Sequence, residues 1–185
     1  MSSILKIRHP HDPWLALPPS HPHPLRPWLT ERGSLTARLQ ARTGRFRVEV
    51  LNQGLKRVNR DEARLVELDA ARKGLVREVI LRCNEQPTVF AHSVACPRHI
   101  RRTWRFVARL GSRPLGHVLF ANPRVSRMAL HFQHIDRRHP LYRRIRQWLP
   151  ALPTQLWARR SVFMLKRSPM LVTEVFLPAV LELPK

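Results

Sequence analysis

The stretch that most constrains this chain lies near its C-terminus: Met170-Leu171-Val172-Thr173-Glu174-Val175-Phe176-Leu177-Pro178. Almost every position is apolar or β-branched, which predicts a strand over 170–178 buried on both faces. Alternation along a strand puts Leu171, Thr173, Val175 and Leu177 on one face, and Val172, Glu174 and Phe176 on the other. Glu174 is then a carboxylate among large apolar neighbours, where an unpaired charge is costly. Either it carries a proton or a cation meets it. The rest of the chain has to supply the answer.

A second buried strand is predicted over 75–81, after Gly74, and it carries the complementary problem. Arg77 shares a face with Leu75, Val79 and Leu81, and a guanidinium does not neutralise itself at working pH. It needs an anion. A plain Arg77–Glu174 ion pair is the bland solution, and a bound anionic ligand is the functional one.

The remaining elements follow from periodicity and turn chemistry. Helical pieces are expected over 28–43, with Ser34 capping the second. A strand over 45–51 shows Phe46, Val48 and Val50 on one side and ends in a turn at Asn52-Gln53-Gly54. Residues 56–73 read as a polar, partly helical connection. A third strand is expected over 88–95, then one basic amphipathic helix over 98–110 closed by Gly111. Pro114 suits the first turn of a helix running to Phe120, whose free backbone N–H groups offer an anion site. A strand over 125–132, a short basic helix over 139–149 and a strand over 160–165 follow. Lys166-Arg167-Ser168-Pro169 turns the last of these into the strand at 170–178. Hairpin-linked strands without strict helix alternation predict an α+β fold on an antiparallel sheet.

Composition bounds the function. At 185 residues and 43% hydrophobic the chain can bury one sizeable core. Residues 1–27 hold seven prolines and four histidines, predicting an irregular N-terminal arm ahead of a domain over 28–185. No apolar run approaches the roughly 20 residues that span a bilayer, and prolines interrupt any signal-peptide core. Cys83 and Cys96 lack metal-ligand spacing and read as reduced core thiols of a cytoplasmic protein. The His-x-His pairs have no Cys or acidic company, so no metal is expected. Thirty-four Lys+Arg against twelve Asp+Glu give a net charge of +22. Seventeen of these cations and a single acid, Asp136, fall in 98–167. Charge alone would admit nucleic acid or an anionic membrane surface. No zinc-finger spacing, aromatic RNA-binding signature or Walker loop accompanies it, and a nucleic-acid role would leave Arg77 and Glu174 unexplained.

Five short motifs carry a resemblance. They are Gly33-Ser34-Leu35-Thr36, Val76-Arg77-Glu78-Val79-Ile80-Leu81, Arg113-Pro114-Leu115-Gly116-His117-Val118-Leu119-Phe120, Leu156-Trp157-Ala158-Arg159-Arg160-Ser161 and Leu171-Val172-Thr173-Glu174-Val175-Phe176-Leu177-Pro178. Each is weak alone, but their order across 28–180 resembles the chorismate pyruvate-lyase family. The resemblance implies a six-stranded antiparallel sheet with surface helices and a ligand site enclosed beneath flaps. It implies conversion of chorismate to 4-hydroxybenzoate and pyruvate, supplying the ring of ubiquinone, without metal or organic cofactor. Arg77 would bind the ring carboxylate with the backbone N–H of Leu115, Glu174 would meet the hydroxyl end, and Leu35 would belong to a flap. Arg77 and Glu174 are the expected catalytic residues. The family pattern has an Arg where this chain has Ala91-His92-Ser93-Val94, so His92 or Ser93 is expected in its place. Neither the N-terminal arm nor the basic 137–149 segment has a counterpart in that pattern. A monomer with strong product inhibition is expected, its surplus charge steering a dianion inward or touching an anionic membrane transiently. The alternative on the same fold is a non-catalytic sensor of aromatic carboxylates.

Overall fold

Two tight hairpins build the centre of the sheet in the computed structural model, which describes residues 13–69 and 71–184. Asn84 and Glu85 join β2 (Lys73–Cys83) to β3 (Gln86–Ala95). Lys166 and Arg167 join β6 (Gln155–Leu165) to β7 (Ser168–Phe176). All four turn residues have positive φ, 47° and 66° in the first turn and 48° and 61° in the second. That is the mirror-image two-residue turn, whose twist matches that of the strands it joins. Ser168 and Pro169, expected in the turn, already belong to β7.

β3 pairs with β7, and β1 (Phe46–Arg57) pairs with β2, all antiparallel. The sheet has seven strands in the order β1-β2-β3-β7-β6-β4, with β5 also on β6. Six were expected. The difference lies at one edge, where the strand predicted over 125–132 is broken into β4 (Ser126–Arg127) and β5 (His131–Asp136). Both pieces pair with β6, β4 opposite Phe163 and Met164, β5 opposite residues 155–160. β6 therefore starts at Gln155, five residues earlier than its apolar run suggested.

Two further expectations are corrected. Asn52-Gln53-Gly54 does not turn the chain: a register shift between Val50 and Asn52 absorbs one residue as a bulge, and β1 continues to Arg57. The single helix expected over 98–110 is two short ones, α4 (Pro97–Arg102) and α5 (Arg105–Ala108). The break falls at Trp104, which is fully buried and donates its indole N–H to the Ser168 carbonyl at 3.2 Å. Burying that ring outweighs continuing the helix.

The other helices are α1 (Arg26–Leu29), α2 (Leu35–Gln40), α3 (Arg60–Leu65), α6 (Leu115–Ala121) and α7 (Pro140–Trp148), with a 3-10 turn at Pro178–Glu182. Helices α1, α2, α5 and α6 cover one sheet face. Helices α3 and α7 cover the other. Within the stretch read as an arm, Trp14 is buried among the α7-side core and Leu15 bridges Phe132.

Each face has the same plan, an apolar cluster at either end and a polar row between. On the α3 and α7 face the row runs Glu78, His92, Thr173, Arg160 across four strands. His92 is fully buried, its Nδ1 3.1 Å from Glu78 and its Nε2 3.2 Å from Glu62. Burial alone would push the imidazole pKa down, but the two carboxylates outweigh it and hold it up at about 9. Burial would raise Glu78, yet His92 and Arg144, 2.8 Å away, bring it down to about 2. This charged cluster stabilises the fold fully above the ordinary carboxylate range, near 4.5, and below the ordinary imidazole value of 6.5. Raising pH through 9 removes the His92 contribution, and lowering it through 2 removes that of Glu78. The melting temperature of the protein is accordingly expected to fall between pH 6.5 and 9, and His92→Asn is expected to flatten that limb in a pH series of thermal melts. An unchanged alkaline slope in the variant would place the titration elsewhere.

Candidate active site

The opposite face of the same four strands carries the site. Parity does the sorting: the neighbours of Glu78, His92, Thr173 and Arg160 in sequence are Arg77, Ser93, Glu174 and Arg159, and these point the other way. Registers bring them together, since Arg77 pairs with Ser93, Ala91 with Glu174, and Glu174 with Arg159. Val79 and Ala91 fill the space between Arg77 and Glu174, and Val48 and Leu81 extend the apolar floor. The roof is Leu35 and Thr36 from the start of α2, and Leu115 and Gly116 from the start of α6. The cavity holds about 40 Å³.

The roof is fixed by local chemistry. Ser34 is the N-cap of α2, its hydroxyl accepting from the Ala37 N–H at 3.2 Å. Pro114, expected in the first turn of α6, is instead its N-cap, in an extended conformation. α2 meets α6 at Gly116, where a Cβ would lie 2.8 Å from Thr36 Oγ1 and 3.3 Å from Ser34 Oγ. A side chain there would wedge the two helices apart.

All four residues expected at the site, Arg77, Leu115, Glu174 and Leu35, line this one cavity. Their partners differ from expectation. Glu174 and Arg77 do not pair with each other. Glu174 Oε2 accepts from Arg159 Nε at 2.5 Å, so the cation it required comes from β6. Arg77 instead donates Nη2 to the carbonyls of Gly111 and Arg113, at 2.9 and 3.3 Å. Gly111 sits at φ +57°, in the turn that presents those carbonyls to Arg77. Arg77 Nε has no hydrogen-bond partner among the described residues. Burial lowers the Arg77 pKa to about 10, still cationic at neutral pH. A carbonyl pair solvates this cation without neutralising it. Of the two substitutes expected for the missing Arg, Ser93 lines the cavity and His92 does not.

Two residues at the site were not foreseen. Arg159 is completely buried and donates Nη1 to the carbonyls of Trp28, Leu29 and Glu31 at 2.8, 3.1 and 2.9 Å. It ties the end of α1, and the approach to α2, to the Glu174 carboxylate. Arg127, from β4, donates Nε to Ser161 Oγ at 2.8 Å, with Nη2 3.9 Å from Glu174 Oε2. The motif Ala158-Arg159-Arg160-Ser161 held the first signal, two adjacent guanidiniums inside a buried strand. Nothing around Arg127 distinguished it from the other surface arginines.

The chain matches the model of the chorismate lyase family over residues 18–182. A protein of Nitrosomonas europaea named "Probable chorismate pyruvate-lyase" is 48% identical over 170 residues, 92% of this chain and 96% of that one. One of the same name from Methylobacillus flagellatus is 46% identical over 173 residues, 94% of this chain and 97% of that one. Among solved structures, a GntR-family transcriptional regulator from Bacillus cereus aligns at TM-score 0.54 and 11% identity, over 72% of this chain and 92% of that one. The effector domain of PhnF from Mycobacterium smegmatis aligns at TM-score 0.52 and 12% identity, over 79% and 89%. At such identities the likeness to regulators is one of fold alone. A match to the family model over residues 18–182, with relatives 46–48% identical across more than 90% of the chain, makes this protein a member of the chorismate lyase family.

Proposed function

We infer that this protein is a lyase that converts chorismate to 4-hydroxybenzoate and pyruvate. The observation that carries the reading is Arg77, a desolvated cation whose protein partners are neutral carbonyls, facing Glu174 across an apolar floor in the same cavity. A ring with a carboxylate at one end and a hydroxyl at the other is chemically complementary to that pair of groups. Arg77 binds the ring carboxylate, assisted by the backbone N–H of Leu115 at the start of α6. Glu174, held by Arg159, accepts a hydrogen bond from the ring hydroxyl. Leu35 closes over the ring.

The chemistry asks little more of the protein than this alignment. The C3–O bond of chorismate breaks, the proton on C4 leaves, and the ring becomes aromatic. The released enolpyruvate takes up one proton as it becomes pyruvate, so the dianion yields two monoanions. Aromatisation supplies much of the driving force, and no electron sink is needed. Holding the ring so that the C–O and C–H bonds are aligned removes several kcal/mol of barrier, on the order of what positioning provides generally. Glu174 is placed to carry the C4 proton, since the hydroxyl it meets is on that carbon.

The cavity is far smaller than the several hundred Å³ usual for small-molecule sites. Substrate entry and product departure therefore require the α2 and α6 roof to lift, and release of an enclosed aromatic product is slow. Delivery of that product to ubiquinone assembly in the cytoplasm belongs to the same reading. The fold shared with regulators does not favour a sensing role, because at 11–12% identity it is a likeness of fold alone.

Purified protein incubated with chorismate is expected to release 4-hydroxybenzoate and pyruvate in equal amounts, followed by chromatography and a coupled dehydrogenase. Arg77→Ala should lower kcat/KM by about 100-fold, the loss of a charge-assisted carboxylate contact. Glu174→Gln is expected to lower kcat with a smaller change in KM; near-normal turnover with an unshifted pH profile would remove the proton-carrying role. Gly116→Ala should prop the roof open, speeding 4-hydroxybenzoate release in stopped-flow while raising the KM for chorismate. A variant with wild-type release would show that the α2–α6 contact does not govern it.

A further inference from the structure

Chorismate has two carboxylates, and the roles above occupy only one. Three guanidiniums and one carboxylate line the cavity, a surplus of two positive charges. Arg77 stands at the β2 end. The other two, Arg159 and Arg127, converge on Glu174 from the far side, on β6 and β4.

Arg127 is largely out of water, and the carboxylate nearest it, Glu174, is one that Arg159 already holds. Its Cζ lies 5.5 Å from the centre of the Phe163 ring and 5.8 Å from that of Phe120. Burial brings its pKa down to about 10, so it remains cationic at neutral pH. Its other donors reach the Ser161 hydroxyl and, more loosely, the carbonyls of Glu31 and Arg32 at 3.3 and 3.4 Å. At 3.9 Å its Nη2 is beyond hydrogen-bond range of Glu174 Oε2, which Arg159 already holds. Arg159 Nη2, fully buried, has no hydrogen-bond partner among the described residues. One carboxylate thus faces two buried cations that retain unused donors.

The connectivity of chorismate fits this end of the cavity. The enolpyruvyl ether is on C3, next to the C4 hydroxyl. With the ring carboxylate on Arg77 and the hydroxyl on Glu174, C3 lies beside Glu174 and its substituent extends away from Arg77. We propose that Arg127, with the free Nη2 of Arg159 beside it, binds the enolpyruvyl carboxylate and so distinguishes the dianionic substrate from the monoanionic aromatic product. This rests on the lyase reading above. It explains how the site manages without an arginine at His92, because β4 supplies the guanidinium that β3 lacks. Arg127 also lines an outer cavity of about 630 Å³ together with Arg26 and Arg32. The carboxylate it holds is therefore the one nearest that basic opening, and it leaves with pyruvate.

The test compares ligands that differ only in the second carboxylate. Arg127→Gln is expected to raise the KM for chorismate by about 10- to 100-fold, the range for losing one charge-assisted contact, with a smaller change in kcat. Its Kd for 4-hydroxybenzoate should stay within about twofold of wild type on the same principle, since that ligand lacks the carboxylate in question. In calorimetry, wild type should bind 3-(carboxymethoxy)-4-hydroxybenzoate more tightly than 3-methoxy-4-hydroxybenzoate, and Arg127→Gln should lose that preference. Arg127→Lys keeps the charge but not the fork, and should recover part of it. Equal weakening of all these ligands, or no change in any, overturns the proposal and leaves Arg127 a structural residue. If Arg127→Gln does not fold, absence of the carboxymethoxy preference in wild type overturns it equally. Failure of wild type to turn over chorismate would instead refute the lyase reading, before any variant is compared.

Discussion

Arg159 holds together parts of the molecule that would otherwise be independent. From one fully buried guanidinium it reaches Glu174 on the neighbouring strand and three carbonyls at the end of α1. A buried charge of this kind is tolerable only when it is paired and hydrogen-bonded; Arg159 gives Nε to Glu174 and Nη1 to three backbone carbonyls, and only Nη2 is left without a partner among the described residues. The consequence is mechanical as well as electrostatic. The carboxylate is oriented by a residue that also fixes the segment leading into the roof, so the floor and that segment share one anchor.

The sheet accommodates this by stacking two polar rows back to back. Arg77-Glu78, His92-Ser93, Arg159-Arg160 and Thr173-Glu174 are adjacent pairs at the same level of four neighbouring strands. Each contributes one residue to the cavity and one to the ionic row beneath it. The lower row is closed within the protein, with His92 between Glu62 and Glu78 and with Arg160 on Asp61 at 2.7 Å. The upper row is left with more cation than anion. The two faces differ in that respect: one satisfies its charges internally, and the other sets three guanidiniums against one carboxylate. Apolar clusters at both ends of each row keep water away and make the unmet charge costly.

Much of this was legible in the sequence because burial and parity are local properties. The strand around Glu174 announced itself by its apolar run, and alternation placed Arg77 with Val79 and Leu81, all three lining the cavity. The α6 start at Leu115 followed from Pro114, and the α2 start at Leu35 from the capping Ser34. The broken edge at β4 and β5 was not legible, since the chain between them has the same apolar character as the strands. Nor was the break at Trp104, where the competing term is a contact with Ser168, sixty-four residues away.

The sequence by itself determined that two opposite charges, Arg77 and Glu174, are buried among apolar neighbours, and the family pattern of five motifs named the chemistry they serve. Only the tertiary structure decided which partner each charge has. Register across β3, β7 and β6 puts Glu174 against Arg159 and turns His92 to the far face, because a shift of one residue exchanges the two sides of a strand. It also brings Arg127, on a strand of two residues with no periodicity to read, to the end of the cavity. A charge pattern says that an ion must be met; strand order and register determine by what.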